Sequence, residues 1–209
     1  MRVQNIKPIL IKLRPIGQAI RRLELKYSSP TSDFTGTFDT EGPRKPIYAG
    51  TDEGDFLKLL PELSPLVKNL IFQKAHFADL GSGFGRICFA ASFVFKKVTG
   101  FEIDSQLCEE AEKTRQQFGI RNVTFLNRDF LTADLRPFEV LYFYKPFKRL
   151  FPLLMAEKLA ETKPGAVVIS YLETGPDLFN PDLFRPVYPP NWGSCDEEVS
   201  SHFYVVKRR

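Results

Sequence analysis

The residues best suited to chemistry are a cluster of glycines and the carboxylates spaced around it. Gly81, Ser82, Gly83 and Gly85 form the turn GSGFG, with Asp79 just ahead of it. Glu102 follows about twenty residues later, and Asp129 lies further on in the segment RDF at 128–130. Glycines permit positive φ and let a ligand approach the backbone closely. A carboxylate at the Glu102 spacing can accept hydrogen bonds from ribose hydroxyls. The pattern therefore reads as a site for a nucleoside-containing cofactor.

Two residues separate the candidate cofactors. A dinucleotide fingerprint requires a third glycine three residues after the second, and that position is Arg86. Asp79 would repel an anionic pyrophosphate but attract the ammonium and sulfonium of S-adenosyl-L-methionine. At about 4 Å and an effective dielectric near 20, each such charge interaction is about 4 kcal/mol before desolvation. The sign favours the sulfonium cofactor over NAD(P). Asp129 could accept from the adenine amino group, with Phe130 covering the ring on one side and Ile103 on the other. The alternative for that pair is a turn-capping Asp129 and a core Phe130.

Such a site needs strands that end beneath it. From residue 76 onward, short apolar runs alternate with helical stretches. Strands are expected at 77–80, 97–103, 123–126, 139–144 and 166–172, with helices at 85–95, 105–118 and 150–161. Ser105 is expected to cap the second of these helices. The segments 183–188 and 202–206 can pair antiparallel as the last two strands. This alternation implies an α/β fold with a mainly parallel sheet covered on both faces. Ligands of such sheets bind at the C-terminal strand ends, which is where the glycine turn, Glu102 and Asp129 fall. Ahead of the sheet, a helix is expected from about 51–60 and a second over 64–72.

The segment FADLGSGFGRICFAASFVFKKVTGFEID (77–104) resembles the first two motifs of class I S-adenosylmethionine-dependent methyltransferases. NVTFLNRDF (122–130) resembles the third, and KPGAVVISY (163–171) the fifth strand. The DLGSGxGR variant is similar to that of the seven-strand protein lysine methyltransferases and of many relatives of unknown substrate. The resemblance implies a Rossmann-like, doubly wound, seven-stranded sheet with an antiparallel last strand. It implies cofactor roles for Asp79, Gly81, Gly83, Glu102 and Asp129. Tyr48-Ala49-Gly50-Thr51 stands where those lysine enzymes carry a cofactor-covering segment. The expected organisation is a basic N-terminal extension and linker over 1–50 and a methyltransferase domain over 51–209. The alternatives are the same fold binding the cofactor without methyl transfer, or an NAD(P)-binding protein.

The acceptor side is less legible. After the fourth strand the chain reads Tyr144-Lys145-Pro146-Phe147, where adenine and glutamine methyltransferases carry Asn/Asp-Pro-Pro-aromatic. Lys145 has no acceptor for a target amine. It either binds an acidic substrate or points its ammonium to solvent. Tyr144 and Lys145 are the candidate catalytic residues, and Pro146, Phe147 and Glu173 are candidate substrate-lining residues. The acceptor is unidentified, with a protein side chain placed ahead of a small molecule and RNA. His76 and His202 fall at strand starts and read as structural. Trp192, in a Pro/Gly-rich turn, could cap the site or only pack.

Charge is concentrated at one end. Residues 1–27 hold seven Lys/Arg against Glu24 alone, a net +6, which leaves the rest of the +4 chain at −2. A polyanion therefore has no broad basic surface on the body. The basic segment could bind nucleic acid, lie on an anionic membrane, or cover the body with its Ile/Leu face. Pro8 and Pro15 are expected to break a long helix there. The 43% hydrophobic content lies in no run long enough to span a bilayer. Cys88, Cys108 and Cys195 are too widely spaced for a metal site or a disulfide framework. A reducing, cytoplasmic setting is expected.

Overall fold

The computed structural model describes residues 6–27, 52–66, 70–144, 151–171, 180–187 and 201–207. A seven-stranded sheet forms its centre, in the order β3-β2-β1-β4-β5-β7-β6. The strands are β1 (His76–Leu80), β2 (Lys97–Glu102), β3 (Val123–Asn127), β4 (Val140–Tyr144), β5 (Val167–Tyr171), β6 (Phe184–Val187) and β7 (Ser201–Val206). β1 pairs in parallel with both β2 and β4, so the strand order reverses there. β7 runs antiparallel to both β5 and β6. The expected mainly parallel sheet with antiparallel terminal pairing is thus observed. The central strands β1, β4 and β5 are buried along nearly their whole length because both faces are covered there.

One face carries α1 (Lys7–Tyr27), α2 (Glu53–Leu66) and α3 (Arg86–Ser92), packed on Phe77, Val98, Tyr142 and Ile169. The other carries α5 (Phe151–Ala160) and a 3-10 turn (Phe130–Thr132), packed on Ala78, Leu80, Leu141 and Val168. The alternation along β1 decides where chemistry can sit. Phe77 and Asp79 share the α3 face, while Ala78 and Leu80 share the other.

Three local expectations change. Pro15 does not break the basic segment, because α1 is continuous from Lys7 to Tyr27. Ile9, Leu13, Ile16 and Ile20 recur at helical spacing and are all buried against the body. Pro15 and Ile11 face solvent, so the Ile11 carbonyl that loses its usual donor lies on the exposed side. Pro8 sits in the first turn, where no amide donor is needed.

α2 likewise runs unbroken through Ser64, in place of two helices. Its buried Phe56, Leu57, Leu60 and Leu63 make one continuous stripe, and Asp52 caps it by accepting from the Gly54 and Asp55 amides at 2.7 and 3.2 Å. The third change is at α4 (Ser105–Gln117), where the cap is Asp104. Asp104 accepts from Gln106 and Leu107, and Ser105 is already helical.

Candidate cofactor site at the strand-order reversal

The glycine turn leaves β1 beside the reversal in strand order. Its backbone is tied down by its own amides. Those of Gly81 and Ser82 both donate to the Phe101 carbonyl at 2.9 Å, and that of Gly85 donates to the Ser82 carbonyl at 2.8 Å. The Gly83 amide donates to Glu102 Oε2 at 2.8 Å. These donors therefore face protein acceptors instead of forming an anion cradle of the kind a pyrophosphate uses.

Two glycines meet strict geometric demands. Gly81 has φ +89°, and a Cβ there would project into open space at the end of β1. Gly85, at φ +82°, would drive a Cβ into the Phe125 ring. A third glycine, Gly100 in the middle of β2, was not singled out by sequence reasoning. A Cβ there would lie 2.7 Å from Ser82 Oγ, so Gly100 makes room for Ser82 under the turn. A glycine inside an apolar strand was the available signal. Ser82 Oγ is buried and, among the described residues, has no hydrogen-bond partner.

Glu102 ends β2 with both oxygens held, Oε2 by Gly83 and Oε1 by the Asp104 amide at 2.9 Å. Burial raises its pKa, and those amide hydrogen bonds oppose the rise. Each oxygen keeps a second lone pair for another donor. Asp79 projects on the same face and is 3% exposed. Burial pushes its carboxyl up to about 7, against the opposing effect of the Cys88 thiol, which donates to it at 3.5 Å. The Cys88 thiol is itself pushed up by burial. Asp79 is therefore a full carboxylate at neutral pH only when a cation or donor favours its charged form, a condition absent from the simple charge argument.

The adenine-side residues divide. Ile103 is 58% exposed directly beyond Glu102. Asn127 Nδ2, at the end of β3, donates to the Glu102 and Ile103 carbonyls at 3.0 and 2.9 Å and fixes that corner. Asp129 Oδ1 caps the 3-10 turn by accepting from the Leu131 amide at 2.9 Å. Phe130 takes the alternative position, within the core. It is buried in the core with Phe101, Leu135 and Phe138, because the capped turn directs it inward.

Arg86 has a role beyond interrupting a fingerprint. Its guanidinium grips both Glu24 oxygens of α1 at 2.7 Å and Glu53 of α2 at 2.7 Å, with 14% of the side chain exposed. Although burial works against its charge, the two carboxylates raise its pKa overall. Gly17 admits this contact, since a Cβ there would meet Glu53 Oε1 at 2.5 Å. Phe84, fully buried in the glycine turn, packs on Tyr27 with ring centroids 5.3 Å apart. The ends of α1 and α2 are thereby fastened to the start of α3.

Tyr144 is half-buried at the end of β4. The register Asp79 with Tyr142 puts it level with Gly81. Burial raises its phenol pKa. Lys145, Pro146, Phe147, Glu173, Trp192 and the segment 48–51 lie outside the described residues. His76 is at the opposite end of β1, as expected of a structural residue. Among the described residues, no group of His, Cys, Asp and Glu could hold a metal.

The fold has counterparts among known proteins. The model of the ANTKMT methyltransferase domain matches residues 79–172. An RNA methyltransferase from Salinibacter ruber, solved with S-adenosyl-L-homocysteine, is 23% identical with TM-score 0.59, covering 77% of this chain and 95% of its own. A putative methyltransferase from Escherichia coli is 18% identical with TM-score 0.59, covering 78% and 92%. The tRNA (m1A58) methyltransferase TrmI from Aquifex aeolicus is 17% identical with TM-score 0.53, covering 75% and 69%. No curated protein matches the chain. Residues 79–172 thus match a methyltransferase domain, and the surrounding fold is that of S-adenosylmethionine-dependent methyltransferases. The residues around Gly81 are compatible with S-adenosylmethionine: among the described residues there is open space beside this positive-φ glycine, with the buried carboxylates Asp79 and Glu102 and the exposed aliphatic Ile103 at the neighbouring strand ends. No helix among the described residues is long and apolar enough to cross a membrane.

Proposed function

We propose that this methyltransferase holds S-adenosyl-L-methionine over Gly81 and transfers its methyl group to a protein side chain. The observation that carries the cofactor half is Glu102, fixed by two backbone amides with one lone pair on each oxygen still able to accept from a ribose hydroxyl. Asp79 would face the cationic amino-acid end, Ile103 would pack on the adenine, and Asp129, with Oδ1 engaged in its cap, would accept from the adenine amino group through Oδ2. The engaged amides of Gly81, Ser82, Gly83 and Gly85 argue against NAD(P), whose pyrophosphate needs such donors. Bound there, the cofactor supplies an activated methyl on a sulfonium.

The chain supplies alignment and exclusion of water. Tyr144, whose burial keeps its proton on, would line the acceptor side as a hydrogen-bonding wall and not as a base. Lys145, Pro146, Phe147 and Glu173 are further acceptor-side candidates by their sequence positions after β4 and β5. A protein acceptor is favoured over RNA because residues beyond 27 carry a net −2, leaving the body without a basic track. The resemblance of the DLGSGFGR motif to that of the seven-strand protein lysine methyltransferases supports the same reading. The methyltransferase domain would occupy 51–209, with α1 as its fixed cover.

Calorimetric titration with S-adenosylmethionine and with NAD tests the cofactor. Binding of NAD alone would refute this assignment. A radiolabelled methyl-transfer screen, separated into protein, RNA and small-molecule fractions, tests the acceptor. Label found only in RNA would overturn the protein assignment and leave the cofactor site standing.

A further inference from the structure

The outward face of α1 has a pattern that neither cofactor binding nor packing explains. Its inward face is fully used, with Ile9, Leu13, Ile16 and Ile20 buried in the core. Its one acid, Glu24, is turned to Arg86. What remains outward is Lys7, Lys12, Arg14, Arg21, Arg22 and Lys26, all exposed, with no acid among them. Along the centre of this face stand Ile11 and Leu25, 73% and 66% exposed. Ile11, Gln18 and Leu25 recur at seven-residue intervals and so lie on one line, about 21 Å from end to end. Lys7, Arg14 and Arg21 flank that line on one side, and Lys12, Arg22 and Lys26 on the other.

We propose that this face of α1 docks the enzyme on an anionic lipid bilayer. A helix face with two exposed aliphatic tips along its centre and cations on both flanks matches the interface of a membrane. The aliphatic tips enter the boundary between headgroups and acyl chains, and the Lys and Arg stems extend sideways to the phosphates. Anionic headgroups complement the six cations. A nucleic acid would use the cations equally but would leave Ile11 and Leu25 against phosphate and water. The contact differs from that of a free amphipathic helix, whose apolar side inserts. Here that side is bound to the body, so attachment is mainly electrostatic and reversible by salt. With a net −2 on the body, the net attraction to an anionic surface comes from α1. Tyr27, at the end of α1, rests on Phe84 of the glycine turn, so docking fixes the cofactor edge relative to the lipid plane.

The test is co-sedimentation of the full chain with phosphatidylcholine vesicles with or without phosphatidylserine. Binding is expected only with phosphatidylserine and should weaken at least about tenfold when salt is raised from about 0.05 M to about 0.5 M. The variant R14E/R21E/R22E should lose at least about tenfold in affinity. I11S/L25S, which keeps every charge, should lose several-fold. Wild-type binding by either variant would overturn the proposal. So would single-stranded RNA binding through the same arginines without any effect of I11S/L25S. If a variant does not fold, amine-reactive footprinting of the wild type decides. Vesicles should slow modification of Lys12 and Lys26 but not of the exposed Lys58 and Lys113 on the body. Equal protection of all four, or of none, would refute a docked α1.

Discussion

β1 carries an ionisable residue near each end, and the two are perturbed in opposite senses by the same cause. At the start, burial lowers His76 from 6.5 to about 4. Near the end, burial raises Asp79 from 3.8 to about 7. Their surroundings differ in what is left over. His76 Nε2 lies 2.9 Å from Thr99 Oγ1, its ring rests on Phe138, and its amide donates to Glu139, which is ion-paired to Lys163. Among the described residues, Asp79 has one weak thiol donor, and the glycine beyond it opens onto free space. A perturbed pKa thus marks a candidate site only where the group keeps unmet capacity and a ligand has room beside it.

Breaking the anchorage at the site end should have the largest effect. Arg86→Met leaves Glu24 and Glu53 as largely buried, unpaired acids, which typically costs about 3–5 kcal/mol. A clear fall in Tm is expected, with weakened cofactor binding, because the turn loses its ties to α1 and α2. An unchanged Tm would mean that these ion pairs contribute nothing to the fold. Next is Glu102→Ala, which removes a charged acceptor worth about 1.5–3 kcal/mol per hydrogen bond. Affinity for S-adenosylmethionine should drop by roughly ten- to several-hundred-fold in calorimetry. His76→Asn, at the other end of the sheet, should leave that affinity as it is. Equal losses in both variants would erase the distinction between the two ends.

pH sharpens the comparison further. Below about 7 the Asp79 carboxyl is protonated and no longer attracts a cationic ligand. Cofactor affinity should fall on acidification by up to about tenfold per pH unit, and Asp79→Asn should flatten that dependence. The smallest effect is on stability. Asp79 holds its proton more tightly when folded, so its contribution declines as pH rises from 3.8 through about 7. His76 holds its proton less tightly when folded, so its contribution declines as pH falls from 6.5 through about 4. The two slopes oppose each other. Asp79→Asn should make the dependence of Tm on pH more positive over that interval, and His76→Asn more negative. A slope unaffected by either variant would show that burial of these groups is not what shifts them.

Local sequence determined the order of strands and helices, the position of the glycine turn and the choice of a sulfonium cofactor over a pyrophosphate. Each depends on residues close together in the chain: the apolar period, positive-φ glycines, and the charge of Asp79 beside the turn. Sequence reasoning misplaced features that depend on distant partners. Pro15 read as a helix break, yet α1 continues because the carbonyl left without a donor faces water while four aliphatics bind the body. By sequence Phe130 is open between a ligand cover and a core residue, and its burial beside the Asp129 cap depends on Phe101 and Phe138. Arg86 read only as a missing glycine, because Glu24 and Glu53 lie 62 and 33 residues away. Tertiary structure alone decided that Gly81 has space beside it, that Glu102 is pinned with capacity to spare, and that Ile11 and Leu25 stay outside. Space, burial and unmet hydrogen-bonding capacity are properties of the packed whole, which the spacing of residue types does not encode.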